Sequence, residues 1–126
     1  MFDDAGHIYI YFIYGMYHCL NIVTEKKGTG AAVLIREIIP TIGVKQIKQN
    51  RPKITNQKNL LNGPSKLMMG LSIPSSLNGT SILSPSSPIS CKKLNQKKLD
   101  YSCLPRIGIS KGTDQLWRFR LNNDAT

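Results

Sequence analysis

A chain of 126 residues with 40% apolar side chains can bury one ordinary core, which argues against wholesale disorder and against two full-sized domains. Its formal charge of +10 is uneven: residues 1–40 carry three basic and four acidic side chains, residues 41–126 fourteen basic and three acidic. That asymmetry favours an anionic polymer as partner, nucleic acid ahead of a membrane surface, with a merely solubilising surface as the alternative.

The first predicted elements lie in the most informative stretch, Gly6 to Asn21, where tyrosines 9, 11, 14 and 17 crowd around Gly15. Ile8–Tyr14 and Tyr17–Thr24 read as adjacent strands joined through Gly15 and Met16, with Tyr9 and Tyr11 sharing one strand face. Such a run is also compatible with a buried helix segment. Rings along a strand face and at a turn are suited to handling a nucleobase; a half-exposed strand tyrosine is the plainer reading of Tyr11. After a polar turn at 25–30, Ala31–Ile39 reads as a third, largely buried strand ending at Pro40, completing an antiparallel meander.

Thr41 is suited to cap a short helix running to about Asn50, with Val44 and Ile47 inward and Lys45 and Lys48 outward. Arg51 precedes Pro52 and falls just past that helix. Asn62-Gly63-Pro64-Ser65-Lys66-Leu67 has a helix-start signature with proline near the first position, continuing to about Gly70. Residues 74–100 are expected to be irregular, apart from at most a short strand at Ser81–Leu83. Pro105–Ile109 and Leu116–Leu121 alternate like strands returning to the sheet, and the tail 122–126 is expected to fray.

Three cysteines, Cys19, Cys91 and Cys103, lack Cys-x-x-Cys spacing, so neither a disulfide framework nor a zinc module is indicated, and a reducing, cytoplasmic setting fits. His7 and His18 are the only imidazoles, leaving few ligands for a metal. The apolar run at Ile8–Tyr14 is far below the ~20 residues that span a bilayer.

Two cations stand out. Lys66, in the first turn of a helix, opposes the macrodipole unless an anion such as a phosphate sits there; the alternative is a lysine swinging into solvent. Arg36 follows an apolar strand and lies either at its exposed end, paired with Glu37 or Glu25, or in a polar pocket. Asn21, between Leu20 and Ile22, poses the same question with an amide.

Read together, four ordered blocks resemble the alkyladenine (3-methyladenine) DNA glycosylase family: the Gly6–Tyr17 string with Cys19-Leu20-Asn21, Ala32-Val33-Leu34-Ile35-Arg36 with Pro40 and Gly43, Leu61–Leu67, and Pro105-Arg106-Ile107-Gly108-Ile109. The resemblance implies a single mixed α/β (α+β) domain over residues 1–126, a curved, mainly antiparallel sheet with a few short helices. It implies base-excision repair of alkylated purines in double-stranded DNA by nucleotide flipping and hydrolysis, by a monomer without metal or other cofactor. Tyr14 matches the minor-groove wedge, with Met16 and Tyr17 as its neighbours against DNA. Tyr11, Asn21 and Leu34 match the base pocket. Arg36 matches the residue that helps hold the attacking water, the Ile107 carbonyl another contact, and Arg51 and Lys66 phosphate contacts.

The family's general base is a Glu in a Glu-x-x-Tyr context upstream of the tyrosine hairpin, and no such segment occurs in these 126 residues. The resemblance is thus to an N-terminally truncated member with impaired turnover; the alternative is a non-catalytic DNA-binding remnant of the same fold.

Overall fold

The computed structural model describes residues 4–13, 17–93 and 99–122. The chain divides into two compact units, Met1–Cys91 and Lys92–Thr126. All strand pairing among the described residues is antiparallel and the helices are short, an α+β arrangement.

In the first unit, β1 (Ile8–Ile13) pairs with β2 (Tyr17–Val23), and β2 with β3 (Ala32–Leu34). The register sets Tyr9 opposite Asn21, Tyr11 opposite Cys19 and Asn21 opposite Leu34. Because strand side chains alternate, Ile8, Ile10, Leu20 and Ile22 fall on one face and Tyr9, Tyr11, Cys19 and Asn21 on the other. The first face is the core side. Ile8 and Leu20 are buried there with Ile47, Leu60, Leu61, Leu67 and Met68, while Ile10 and Ile22 pack against the cluster.

Two helices and the Leu60-Leu61 segment between them supply the rest of that core. Helix α1 (Val44–Asn50) buries Ile47 and leaves Lys45 and Lys48 exposed, as its spacing requires. It starts later than Thr41 because Gly43 takes a left-handed conformation (φ 77°), which turns the chain just ahead of the first helical residue. Helix α2 (Pro64–Gly70) begins with proline at its first position, where a missing N–H costs nothing. It ends in a Schellman arrangement, with Ile73 N–H donating to Met68 C=O and Ser72 N–H to Met69 C=O. The helices meet closely at Gly70, where a methyl group would run into the Leu61 side chain.

The outer edge of β1 is partly covered. Ile8 N–H donates to Thr80 C=O, Gly79 N–H to Ile8 C=O, and Ile10 N–H to the Asn78 side-chain Oδ1 at 2.8 Å. Residues 78–82 thus finish the first half of the strand edge, which would otherwise invite pairing with another chain. The expected strand at Ser81–Leu83 is only an isolated bridge, His7 to Ser81.

Two strand expectations need correction. The third strand stops at Leu34 instead of reaching Ile39, and Val33 and Leu34 are exposed, not buried. Ile35 N–H still bonds Leu20 C=O, but Ile38 N–H then turns to Leu61 C=O, so the extended chain leaves the ladder for the helical layer. Residues 105–109 form no strand either, since Gly108 (φ 73°) breaks the extension. In the second unit β4 (Tyr101–Leu104) pairs with β5 (Arg118–Leu121) in a separate two-stranded sheet, so neither strand joins the first sheet.

Candidate nucleic-acid and base-binding site

The face of β1–β3 turned away from the core carries the residues of interest. Tyr9, Asn21 and Leu34 form one cross-strand row, since each is directly opposite the next. Tyr11 and Cys19 form the adjacent row, and Tyr17 lies one alternation further along β2. The sheet therefore brings Tyr11, Tyr17, Asn21 and Leu34 to a common surface.

That surface is graded in exposure. Tyr11 is 51% exposed and Leu34 40%, whereas Asn21 is half-buried and Cys19 buried. The Tyr11 ring lies 6.2 Å from that of Tyr9 at 31°. Burial pushes the Cys19 thiol above its ordinary range, so it stays protonated and serves as apolar floor. Asn21 Nδ2 donates to the Tyr9 carbonyl at 3.3 Å. Only the amide nitrogen can donate to a carbonyl, so this bond fixes the amide orientation. Oδ1 accepts nothing among the described residues, which leaves an oriented acceptor between an exposed ring and an exposed leucine. Such a platform can stack a flat heterocycle and test its hydrogen-bonding edge.

Arg36 is half-buried two residues beyond Leu34. Among the described residues its guanidinium forms no ion pair with Glu37 or Glu25. Arg51 is differently placed. It caps α1, and its Nη1 donates to the carbonyls of Lys66 (3.3 Å) and Leu60 (3.5 Å), tying the loop to the first turn of α2. Lys66 folds back over Gly63 and donates from Nζ to Asn62 Oδ1 at 3.1 Å. Neither cation swings free, although each keeps donors beyond the bonds it makes.

Tyr14 and Met16 lie outside the described residues. Ile107 belongs to the second unit and is exposed. Tyr9 was legible in the sequence only as sharing the Tyr11 face; its carbonyl proves to be what orients Asn21, a role that strand register alone reveals. Among the described residues no cluster of three or more His, Cys, Asp or Glu side chains is arranged to hold a metal, and no helix is long and apolar enough to cross a membrane.

A family model described as methylpurine-DNA glycosylase matches residues 1–125. The chain belongs to the methylpurine-DNA glycosylase family. A protein of Ehrlichia chaffeensis named "Putative 3-methyladenine DNA glycosylase" is 43% identical over 120 residues, covering 94% of this chain and 59% of its own length. Proteins of the same name from Prosthecochloris aestuarii and Francisella tularensis subsp. tularensis are 43% and 39% identical over 121 and 126 residues. They cover 94% and 98% of this chain but 56% and 65% of their own lengths. The chain therefore spans less than two thirds of these curated relatives. The methylpurine-DNA glycosylase family is also where the four sequence blocks pointed.

Proposed function

We propose that the exposed face of β1–β3 receives a damaged purine extruded from double-stranded DNA, and that the complete protein hydrolyses its N-glycosidic bond as a monofunctional glycosylase. The observation that carries this reading is the convergence of Tyr11, Asn21 and Leu34 on one open sheet face, with Asn21 held by Tyr9. Tyr11 stacks on the base, and a cationic alkylpurine adds a cation–π attraction of about 1–2 kcal/mol once water is excluded. Asn21, unable to rotate away without losing its bond to Tyr9, crowds the exocyclic amine of an ordinary guanine. Leu34 lines the same pocket. Tyr14 fills the emptied space in the duplex, Met16 and Tyr17 press on the neighbouring bases, and Arg51 and Lys66 face phosphates. The unstacking that the wedge demands costs a few kcal/mol and is smallest for damaged pairs, which contributes to selectivity.

In the reaction, water attacks the anomeric carbon as the bond to the purine breaks. Arg36 holds that water, and the products are a free base and an abasic site. The step needs a general base within hydrogen-bond reach of the water. The family's Glu-x-x-Tyr segment does not occur in the 126 residues, and we assign no acidic side chain of this chain to the role. Residues 1–126 alone are therefore expected to bind damaged duplex and release little or no purine, which is the non-catalytic DNA-binding reading in its testable form.

Two assays decide the matter. Methylated duplex is incubated with the 126-residue chain, and with the same chain joined to a Glu-x-x-Tyr segment from a relative; abasic sites are cleaved with alkali and strand scission is measured. Scission only with the completed protein is expected. Robust scission by the short chain would show that the catalytic group has been misjudged, and none by either would remove the glycosylase reading. Tyr11→Ala should weaken binding to lesion-bearing duplex more than to undamaged duplex.

A further inference from the structure

Tyr9 lends its carbonyl to the candidate site, and its ring stands on the same face of β1–β3 as the Tyr11 ring. Tyr9 is directly opposite Asn21, and Tyr11 directly opposite Cys19. These residues therefore mark the corners of one quadrilateral on the sheet, with Tyr11 and Asn21 on one diagonal and Tyr9 and Cys19 on the other. A flat base that stacks on Tyr11 and brings an edge to Asn21 spans the first diagonal. The second pair then flanks it.

The two flanks are unlike. Cys19 is buried, whereas Tyr9 is half-buried, so Tyr9 is the flank that a bound base can meet. Its ring centroid is 6.2 Å from that of Tyr11, at an inclination of 31°. Positions two apart on a strand lie side by side along its face, so the Tyr9 ring is a neighbour of the stacking surface. Among the described residues the Tyr9 hydroxyl makes no hydrogen bond, although a tyrosine that serves the interior ordinarily finds a partner for it.

The backbone beneath this ring is pinned on both sides. Ile8 N–H donates to Thr80 C=O, Ile10 N–H donates to Asn78 Oδ1, and the Tyr9 carbonyl accepts from Asn21. A base too wide for the gap cannot push the strand aside without breaking these bonds. It meets instead a rigid aromatic side chain, and such crowding is unfavourable in the way that overpacking is.

We infer that the Tyr9 ring is a specificity wall of the base pocket, which limits the width of the base that stacks on Tyr11. It admits two-ring purines with small substituents and resists a purine enlarged by a third fused ring. The inference rests on the base-receiving reading above and adds to it the residue that sets the size limit.

The test is competition fluorescence anisotropy with the whole 126-residue chain. The competing duplexes differ only in the target base, hypoxanthine or an etheno-bridged, three-ring adenine, and the quantity read is the ratio of the two affinities. Tyr9→Val keeps a strand-forming residue and the main-chain carbonyl but removes the ring. It should shift the ratio toward the three-ring base by about tenfold, with affinity for undamaged duplex held within about twofold. Tyr9→Phe keeps the wall and should leave the ratio unchanged. Tyr9→Trp thickens the wall and should shift the ratio the other way, which keeps the inference open to refutation should circular dichroism show Tyr9→Val unfolded.

The inference is overturned if folded Tyr9→Val leaves the ratio unchanged, or if Tyr9→Trp moves it toward the larger base or not at all. Equal weakening of both lesions and undamaged duplex by Tyr9→Val would also overturn it, since that is what a merely structural ring would give. Tyr11→Ala distinguishes this failure from that of the reading beneath it. If Tyr11→Ala impairs binding of both lesions while Tyr9→Val leaves their ratio unchanged, the size wall falls and the stacking platform stands. If Tyr11→Ala affects neither lesion, or the unaltered chain does not prefer lesions to undamaged duplex, both fall.

Discussion

At the residue scale the candidate site depends on what single side chains are tied to. The Tyr9 carbonyl holds the Asn21 amide, and Arg51 is committed to the carbonyls of Leu60 and Lys66. Cys19 is the residue whose chemistry the fold changes most. Its thiol is pushed up by burial, whereas Cys91 and Cys103 are exposed. An aromatic disulfide reagent should therefore label Cys91 and Cys103 promptly and Cys19 only after denaturant is added. Prompt labelling of all three thiols would contradict a buried floor. The folded state holds the Cys19 proton more tightly than the unfolded chain does, so the stability this confers is complete below the ordinary thiol range and is lost as pH rises from there through the raised folded-state range. The urea midpoint of the native protein should accordingly fall more steeply above about pH 8.5 than that of Cys19→Ala.

At the element scale, the hairpin and α2 were legible because each obeys one strong local rule: period-two alternation for Ile8–Ile13 and Tyr17–Val23, and proline at the first position for Pro64–Gly70. What failed to show was long-range pairing. The end of β3 is set by Ile38 reaching for Leu61, and residues 105–109 lose strand character to Gly108 while Arg118 claims the Pro105 carbonyl. The grouping of Tyr11, Asn21 and Leu34 was visible only through the family resemblance, because deriving it physically needs the register of three strands and not the sequence of any one. Two substitutions test the helical layer. Ser72 closes α2 in the left-handed region (φ 51°), where a Cβ is strained, so Ser72→Gly should raise unfolding free energy by about 1 kcal/mol in urea titrations. Gly70→Ala should lower it by about 1–3 kcal/mol, because the added methyl meets Leu61 and has Ile47 within contact. An unchanged midpoint would mean that the two helices can move apart freely.

At the scale of the whole molecule, charge and fold act on different parts of the problem. In the proposed function, the excess of cations would govern encounter with DNA and the sheet face what is recognised after contact. Affinity for undamaged duplex should therefore fall about a hundredfold between about 50 and about 200 mM salt if four phosphates are neutralised. Discrimination between lesion and normal base should change far less over the same range. A flat salt response would mean that the basic residues do not meet the backbone. The sequence made this division partly visible, since the cations concentrate after residue 40 while the aromatic hairpin is nearly neutral.

Strand β2 serves two masters at alternate positions: Leu20 and Ile22 hold the interior together, and Cys19 and Asn21 lie on the opposite face, which is proposed to receive the base. Inserting or deleting one amino acid within these seven would exchange the two sets, driving a carboxamide into oil and stranding leucine in water. Recognition and folding therefore cannot drift independently along this segment, and indels there are intolerable even where single replacements are mild.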